Sequence, residues 1–207
     1  LQLNHNSTLR SHTQLILENV SIPFLHWRPL SIAFKANCKA RLHGNNGVGK
    51  STLLKLLNAQ QIVHSGTIHR RSRTVYFDQD CSWLHNHTHA LSTKILIDKA
   101  LSQSQWRTAL AGIGLRENKA LEPISHLSGG ERMKLALLIM THLVTHHANA
   151  PLLLLDEPDN HLDLEAQVYI SDALAQYRGG FILVSHDEHF CERSGVTQTI
   201  KLSPQVV

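Results

Sequence analysis

The stretch GNNGVGKS at 44–51 matches the pattern GxxxxGK[ST], in which a glycine-rich loop holds phosphate groups. It follows a strand pattern and precedes a helical one, which is the context that the motif requires. The glycines let the backbone curl so that its N–H groups face inward, and the helix that follows adds the positive end of its dipole. Lys50 can reach the β- and γ-phosphates, and the Ser51 hydroxyl can bind Mg²⁺. The alternative is a glycine-rich turn that only resembles the motif. The predicted phosphate-binding residues are Gly44, Asn45, Asn46, Gly47, Val48, Gly49, Lys50, Ser51 and Thr52.

Two adjacent carboxylates follow an apolar run in PLLLLDEPDNHLD at 151–163. The run LLLL suits a parallel strand buried on both faces, so Asp156 would lie at the C-terminal edge of the sheet, beside the phosphate loop. There Asp156 can hold Mg²⁺ through water, while Glu157 is free to take a proton from an attacking water. The alternative is a pair of surface acids at a strand end, and the preceding phosphate-loop motif favours the catalytic interpretation.

The composition predicts one globular domain with no transmembrane segment of its own. The chain has 207 residues, of which 42% are hydrophobic and 17% charged, enough for one sizeable core. No apolar run approaches the roughly 18 residues that a membrane span needs. Cys38, Cys81 and Cys191 lack CxxC spacing, so we expect free thiols in a reducing cytoplasm. The chain starts at Leu1 without a signal-peptide pattern, and we expect that it was cut from a longer one.

Basic and histidine-rich segments suggest two further kinds of ligand. The net charge of +4 is weak evidence for a polyanionic partner, and the segment HRRSR at 69–73 could touch RNA phosphates. A solvated hairpin tip is the preferred interpretation of that segment. HNHTH at 85–89 and His146–His147 could hold a metal, but no cysteine or carboxylate other than Cys81 completes a tetrahedral set nearby. We therefore expect a solvated polar loop there.

Strand and helix patterns alternate along the chain. Strand patterns occupy 15–22, 31–34, 39–43, 152–155 and 181–185, and 67–77 is predicted to be two short strands about a basic turn. Helical patterns occupy 50–58, about 91–115, about 130–147 and about 164–177. Strands separated by helices predict an α/β fold with a parallel central sheet. Residues 1–13 are polar, and we expect a tail or the end of a linker.

Several further motifs resemble those of one family. LSGGE at 127–131 resembles the signature motif of ABC ATPases and lies between the phosphate loop and LLLLDEP, as in that family. Gln79 in YFDQ, Asp163, and His186 in LVSHD match its Q-loop glutamine, D-loop aspartate and switch histidine. The resemblance implies an ABC nucleotide-binding domain over 14–207. It implies a P-loop NTPase fold of ABC type, with a mainly parallel sheet core, an antiparallel β subdomain and a helical subdomain at about 81–148.

The resemblance also implies a role for each motif residue. Gln79 would offer its amide to Mg²⁺ and to the attacking water. His186 would donate a hydrogen bond to the γ-phosphate and hold the water in line for Glu157. An aromatic residue usually stacks on adenine in this family; Phe24 is the candidate here and Trp27 the reserve, and either residue could instead belong to the core.

The signature residues would act on a partner rather than on their own domain. In the family this motif faces the ATP of a second ABC domain, so Ser128, Gly129 and Gly130 would form a helix N-terminus aimed at the partner's phosphates. A capped helix start, which needs no ligand, is the alternative, and both can hold at once. The implied partner is a second ABC domain in a head-to-tail arrangement, in the same polypeptide or in a homodimer.

The text after the second acid resembles one branch of the family, the ABC-F proteins. Their typical sequences are EPTNHLD and VSHDRxF, against EPDNHLD and VSHDEHF here, so Asp159 replaces a usual Thr and Glu188 a frequent Arg. The short span from Gln79 to Ser128 favours the second ABC domain of such a protein. The implied function is an ATP-binding and ATP-hydrolysing domain of a soluble, cytoplasmic protein that acts as an ATP-driven switch on the ribosome. A motor subunit of a membrane transporter is the alternative, and a non-hydrolysing nucleotide-binding module is a third class.

Overall fold

A five-stranded parallel sheet runs through the centre of the computed structural model, which describes residues 13–25, 27–78, 81–96, 101–145, 150–160 and 162–203. The strands are, in chain order, β1 (Thr13–Ser21), β2 (Leu30–Lys35), β3 (Lys39–His43), β4 (Ser65–Arg70), β5 (Thr74–Phe77), β6 (Leu152–Asp156), β7 (Phe181–Val184) and β8 (Gln198–Lys201). The parallel sheet has the order β5-β6-β7-β3-β8. Strands β2, β1 and β4, in that order, form a separate antiparallel sheet.

Helices cover both faces of the parallel sheet. The α-helices are α1 (Lys50–Leu57), α2 (Gln103–Gly112), α3 (Gly129–Thr145), α4 (Leu164–Gln176) and α5 (Glu188–Arg193). Leu152 and Leu154 of β6 pack in one apolar cluster, which includes Leu54 of α1. Leu153 and Leu155 pack in a second cluster, to which α3 and α4 contribute. Since successive side chains of a strand point to opposite faces, each face of the sheet is covered, which explains the uninterrupted apolar sequence of β6.

The described residues between β5 and β6 form helices and turns. Besides α2 and α3, they contain short 3-10 helices at Ser82–Asn86, Ala90–Leu96, Glu117–Leu121 and Ile124–His126. The helical pattern at about 91–115 therefore corresponds to a 3-10 segment and to α2, with 97–100 outside the described residues. The predicted α/β fold, with its parallel core and its separate antiparallel sheet, is confirmed.

The two short strands predicted at 67–77 are present as β4 and β5, but they do not pair with each other as a hairpin. Strand β4 pairs with β1 in the antiparallel sheet, whereas β5 pairs with β6 in the parallel sheet. The two strands are neighbours in the chain, but their partners are distant in sequence, and local pattern carries no information about such pairing. Arg70, expected at an exposed tip, donates hydrogen bonds to the carbonyls of Leu56 and Leu57 at the end of α1.

Smaller differences occur at the ends of the chain. Thr13, assigned to the tail, is the first residue of β1, and residues 1–12 lie outside the described part. The sequence patterns do not predict α5 or β8, which have only six and four residues. Strand β8 nevertheless completes the edge of the parallel sheet beside β3.

Candidate nucleotide-binding site

The loop between β3 and α1 has the backbone conformation of a phosphate-binding loop. Gly47 and Gly49 have φ angles of 77° and 97°, values at which only glycine is unstrained. A Cβ on Gly49 would lie 2.4 Å from Leu25 Cδ1 and 3.0 Å from Trp27 Cζ2. The Trp27 indole N–H donates to the carbonyl oxygen of Val48 at 2.7 Å. Leu25 and Trp27 therefore pack against the loop and restrict its conformation.

The Lys50 side chain is buried inside this loop. Only 7% of the residue is exposed, and its Nζ donates to the carbonyl oxygens of Gly44 and Asn45 at 2.7 and 3.2 Å. Asn45, Asn46 and Gly47 are exposed above it. The loop therefore combines an open entrance, a buried positive charge and the N-terminus of α1, which together favour a polyphosphate.

Asp156 lies at the buried end of β6, within reach of the first turn of α1. Its Oδ1 accepts the Ser51 hydroxyl at 3.0 Å, and its Oδ2 accepts the Tyr76 hydroxyl at 2.9 Å. Burial raises the pKa of Asp156, and the two hydrogen bonds oppose that rise. Burial and the neighbouring Asp156 both raise the pKa of the Tyr76 phenol, which therefore stays a hydrogen-bond donor. Sequence reasoning missed Tyr76, because an interior strand position carries no motif.

Glu157 has different partners from its neighbour. Its φ of 51° departs from the strand, and its N–H donates to Val184 of β7 at 2.9 Å. Asn160 Nδ2 donates to Glu157 Oε2 at 2.5 Å, and His186 Nε2 lies 3.7 Å from Glu157 Oε1. The predicted base and the predicted switch histidine are thus brought together by adjacent strands. The sequence pattern gives Asn160 no role of its own, and the structure shows its contact with Glu157.

The LSGGE segment forms the N-terminus of α3. The Ser128 hydroxyl accepts the Glu131 N–H at 3.3 Å, while Glu131 Oε2 accepts the Ser128 N–H at 2.9 Å, a capping box. Lys119 Nζ contacts Glu131 Oε1 at 2.6 Å. The hydrogen bonds from Lys119 and Ser128 lower the pKa of Glu131 to about 2. Ser128, Gly129 and Gly130 are exposed, so the capped start coexists with a free surface for a ligand.

The remaining predicted site residues differ in what the structure says of them. Phe24 is 60% exposed, as a platform for a base must be, whereas Trp27 is buried and its N–H is bonded to the loop. Gln79 lies outside the described residues. Among the described residues, no group of three or more metal-ligating side chains occurs, and no helix is both long and apolar enough to cross a membrane. His146 and His147 lie outside the described part.

The fold and the site define a P-loop nucleotide-binding domain. A phosphate-binding loop joins β3 to α1, and the acidic end of β6 contacts the first turn of that helix. The sequence profile of the ABC transporter family matches residues 27–160, and the chain belongs to that family. It is an ATP-binding domain of the ABC type, as the motifs predict.

The curated relatives of the chain include ABC-F proteins, which confirms the predicted resemblance. It is 33% identical over 173 residues to ABC transporter F family member 3 of Arabidopsis thaliana, covering 82% of the chain and 24% of that protein. It is 32% identical over 188 residues to the human ATP-binding cassette sub-family F member 3, covering 82% and 25%. The chain thus spans about a quarter of the length of these relatives.

A solved structure supports the fold. The ATP-binding cassette MJ0796, in a dimeric post-hydrolysis state bound to ADP and Pi, is similar with a TM-score of 0.65 at 19% identity. The match covers 92% of the chain and 94% of that protein chain. The chain therefore has the fold of an ABC cassette.

Proposed function

We propose that the chain is one ATPase cassette of a soluble, cytoplasmic ABC-F type protein, in which ATP-driven closure of two cassettes acts as a switch on the ribosome. One observation carries the catalytic part. The ends of β6 and β7 place Glu157 Oε1 and His186 Nε2 3.7 Å apart. The neighbouring Asp156 carboxylate accepts a hydrogen bond from Ser51, which follows the phosphate-binding loop. The ribosome part rests on the likeness to ABC-F proteins.

The residues at the end of β6 fit Mg²⁺. The Ser51 hydroxyl and the Asp156 carboxylate lie 3.0 Å apart and offer only oxygen, the ligand type that Mg²⁺ prefers. Gln79 would add an amide oxygen. When bound, the ion neutralises charge on the β- and γ-phosphates. It would also offset the repulsion between Asp156 and the adjacent Glu157.

The proposed catalytic roles follow from the contacts of Glu157. Asn160 occupies one carboxylate oxygen and leaves the other facing His186, so the base is held in one orientation. In that orientation Glu157 accepts the proton of the attacking water, and His186 donates a hydrogen bond to the γ-phosphate. Lys50 and the N-terminus of α1 hold the phosphates, and Phe24 stacks on the adenine.

The partner in this proposal is a second ABC cassette placed head to tail. The signature residues Ser128, Gly129 and Gly130 are exposed at the start of α3, which suits contact with a nucleotide held by another cassette. The curated relatives are about four times as long as the matched region, so they have room for a second cassette. A transporter motor subunit is the competing function; the sequence of the full natural protein, with or without a second cassette, decides between them.

Glu157→Gln tests the catalytic proposal. The amide keeps the size of the side chain but cannot accept the proton, so hydrolysis should fall by about 10²–10⁴-fold. ATP affinity should stay near normal, because Lys50, Ser51 and Asp156 are unchanged. Turnover and equilibrium binding of labelled ATP measure the two effects in the natural full-length protein. Glu165→Gln, an exposed acid in the first turn of α4, is the control that should change neither. Normal turnover by Glu157→Gln would refute the proposed base.

A further inference from the structure

The residue before His186 is held at both its side chain and its backbone. The Ser185 hydroxyl donates to Asp159 Oδ2 at 2.8 Å. Ser185 Oγ also accepts the Asp187 N–H at 3.0 Å. Ser185 is buried and continues directly from β7. The backbone on either side of His186 is therefore fixed by hydrogen bonds, although the His186 side chain is about half exposed.

Arg41 holds the same residue from β3. It is buried, and its Nε and Nη2 donate to the Ser185 carbonyl oxygen at 3.2 and 3.1 Å. Its Nη1 donates to Glu188 Oε1 at 2.9 Å, and this ion pair lowers the pKa of Glu188. A buried guanidinium needs such partners, because an unpaired buried charge is costly. The Glu188 carboxylate thus keeps Arg41 in the position from which it donates to the Ser185 carbonyl oxygen.

The Asp159 carboxylate is buried and only partly hydrogen-bonded within the described part of the chain. Only 6% of the residue is exposed, and its Oδ1 has no hydrogen-bond partner within the described part of the chain. Burial raises its pKa, and the nearby Asp187 and Glu157 add to the rise. A buried carboxylate that is only half satisfied lowers stability. The presence of an aspartate at 159 is therefore better explained by its hydrogen bond to Ser185 than by a contribution to the stability of the fold.

We propose that Asp159 is a positioning residue for His186 and acts through Ser185. The Arg41–Glu188 pair holds Ser185 from a second side, and we call these four residues the brace. The two positions at which this chain departs from the ABC-F text, 159 and 188, therefore belong to one hydrogen-bonded assembly. The brace connects the segment that carries Glu157 and Asn160 to the segment that carries His186. The proposal rests on the catalytic roles proposed above for Glu157 and His186.

Asp159→Ala tests the brace in the natural full-length protein. Loss of the acceptor frees Ser185, so kcat should fall by about tenfold, the effect of one buried hydrogen bond to a charged group. The Kd for ATP should stay within about twofold, because the phosphate ligands are untouched. Asp159→Asn and Asp159→Thr each keep an acceptor oxygen, and they should retain most of the wild-type kcat. A residue that only stabilised the fold would not give this kcat-only loss with rescue by conservative variants.

A double-mutant cycle with His186→Ala shows whether Asp159 acts through the histidine. If it does, Asp159→Ala should cause no further loss of kcat in the His186→Ala protein. Ser185→Ala should give the same loss as Asp159→Ala and the same non-additivity, and it carries the test if Asp159→Ala does not fold. Additive losses would overturn the brace. Unchanged turnover in His186→Ala alone would instead refute the proposed role of the histidine, so the two failures are distinguishable.

The Arg41–Glu188 part of the brace has its own matched pair of variants. Glu188→Ala removes the partner of Arg41 and should lower kcat severalfold without weakening ATP binding. Glu192→Ala, an exposed acid on the same helix, should leave both unchanged. Equal effects of the two substitutions would contradict the role of the Arg41–Glu188 pair.

Discussion

Two neighbouring acids at the end of β6 have separate hydrogen-bond environments. Both oxygens of Asp156 are used by hydroxyl donors, Ser51 and Tyr76, and the residue is buried. Glu157 leaves the strand through a positive φ and contacts Asn160 and His186 instead. Because their partners differ, one acid suits a structural and metal-binding role and the other suits proton transfer.

Lys50→Ala tests the phosphate loop at the level of one side chain. The substitution removes a buried positive charge next to the expected β- and γ-phosphates, a contact worth about 1.5–3 kcal/mol. Nucleotide affinity should therefore fall by about tenfold or more, measured by titration with labelled ATP. Lys35→Ala, an exposed lysine at the end of β2, is the control. Unchanged affinity of the Lys50 variant would contradict the assignment of the loop.

Residues inside motifs could be predicted from the sequence, whereas the residues that form hydrogen bonds to them from other segments could not. The phosphate loop and the acidic strand end follow from local patterns that glycine geometry and strand burial impose. Tyr76 and the Trp27 indole act through contacts between segments that are distant in the chain, such as Tyr76 with Asp156. A side chain whose role depends on a neighbouring strand leaves no spacing signal of its own.

At the level of elements, Arg70 closes the C-terminal end of α1. The last carbonyl groups of a helix lack partners within the helix, and Arg70 donates to those of Leu56 and Leu57. The sequence pattern predicted a solvated hairpin tip there, with RNA contact as the alternative, because the strand pairing that places Arg70 beside the end of α1 is not local. A bound guanidinium of this kind is less available to RNA phosphates than a solvated one.

Arg70→Ala should therefore reduce stability. The substitution removes the hydrogen bonds to Leu56 and Leu57, although the Leu56 carbonyl keeps the Ala59 N–H, so the free energy of unfolding should fall by about 0.5–1.5 kcal/mol, measured by denaturant titration. Arg107→Ala, an exposed arginine on α2, should change it by about 0.5 kcal/mol or less. If Arg70→Ala has normal stability and weakens only ribosome or RNA association, the helix-capping role is wrong.

The start of α3 depends on a charge pair that can be titrated. Glu131 has a pKa of about 2, against an ordinary 4.5, with Lys119 as the largest cause. Its favourable contribution is fully present above pH 4.5 and is lost as the pH falls through about 2. Lys119→Ala should raise the Glu131 pKa towards 4.5, as followed by NMR of its carboxyl carbon. Lys134→Ala, exposed on α3, should not; an unchanged Glu131 pKa in the Lys119 variant would contradict the pairing.

The fold of the described chain is that of an ABC cassette, and the residues predicted to be its signature motif are exposed. The solved ABC cassette MJ0796 covers 92% of the chain, while the curated relatives extend well beyond the matched region. Ser128, Gly129 and Gly130 lie at an exposed helix start, whereas Lys50 and Asp156 are buried at the edge of the sheet. In the proposed head-to-tail pair, a partner's signature residues would complete the site, and activity would then be a property of the pair.

Turnover should accordingly depend on the concentration of the isolated chain. If a second copy supplies the signature residues, the rate per molecule should be low in dilute solution and rise with concentration as dimers form. Ser128→Ala should lower the rate at high concentration while leaving ATP binding by the monomer unchanged, since its own phosphate loop is intact. Ser102→Ala is the control, because it removes a comparable helix cap at the start of α2. Turnover should be measured over a dilution series whose oligomeric state is followed by analytical ultracentrifugation. Rapid turnover that stays constant per molecule in a strict monomer would rule out a composite site, because a single cassette would then contain every group that hydrolysis needs.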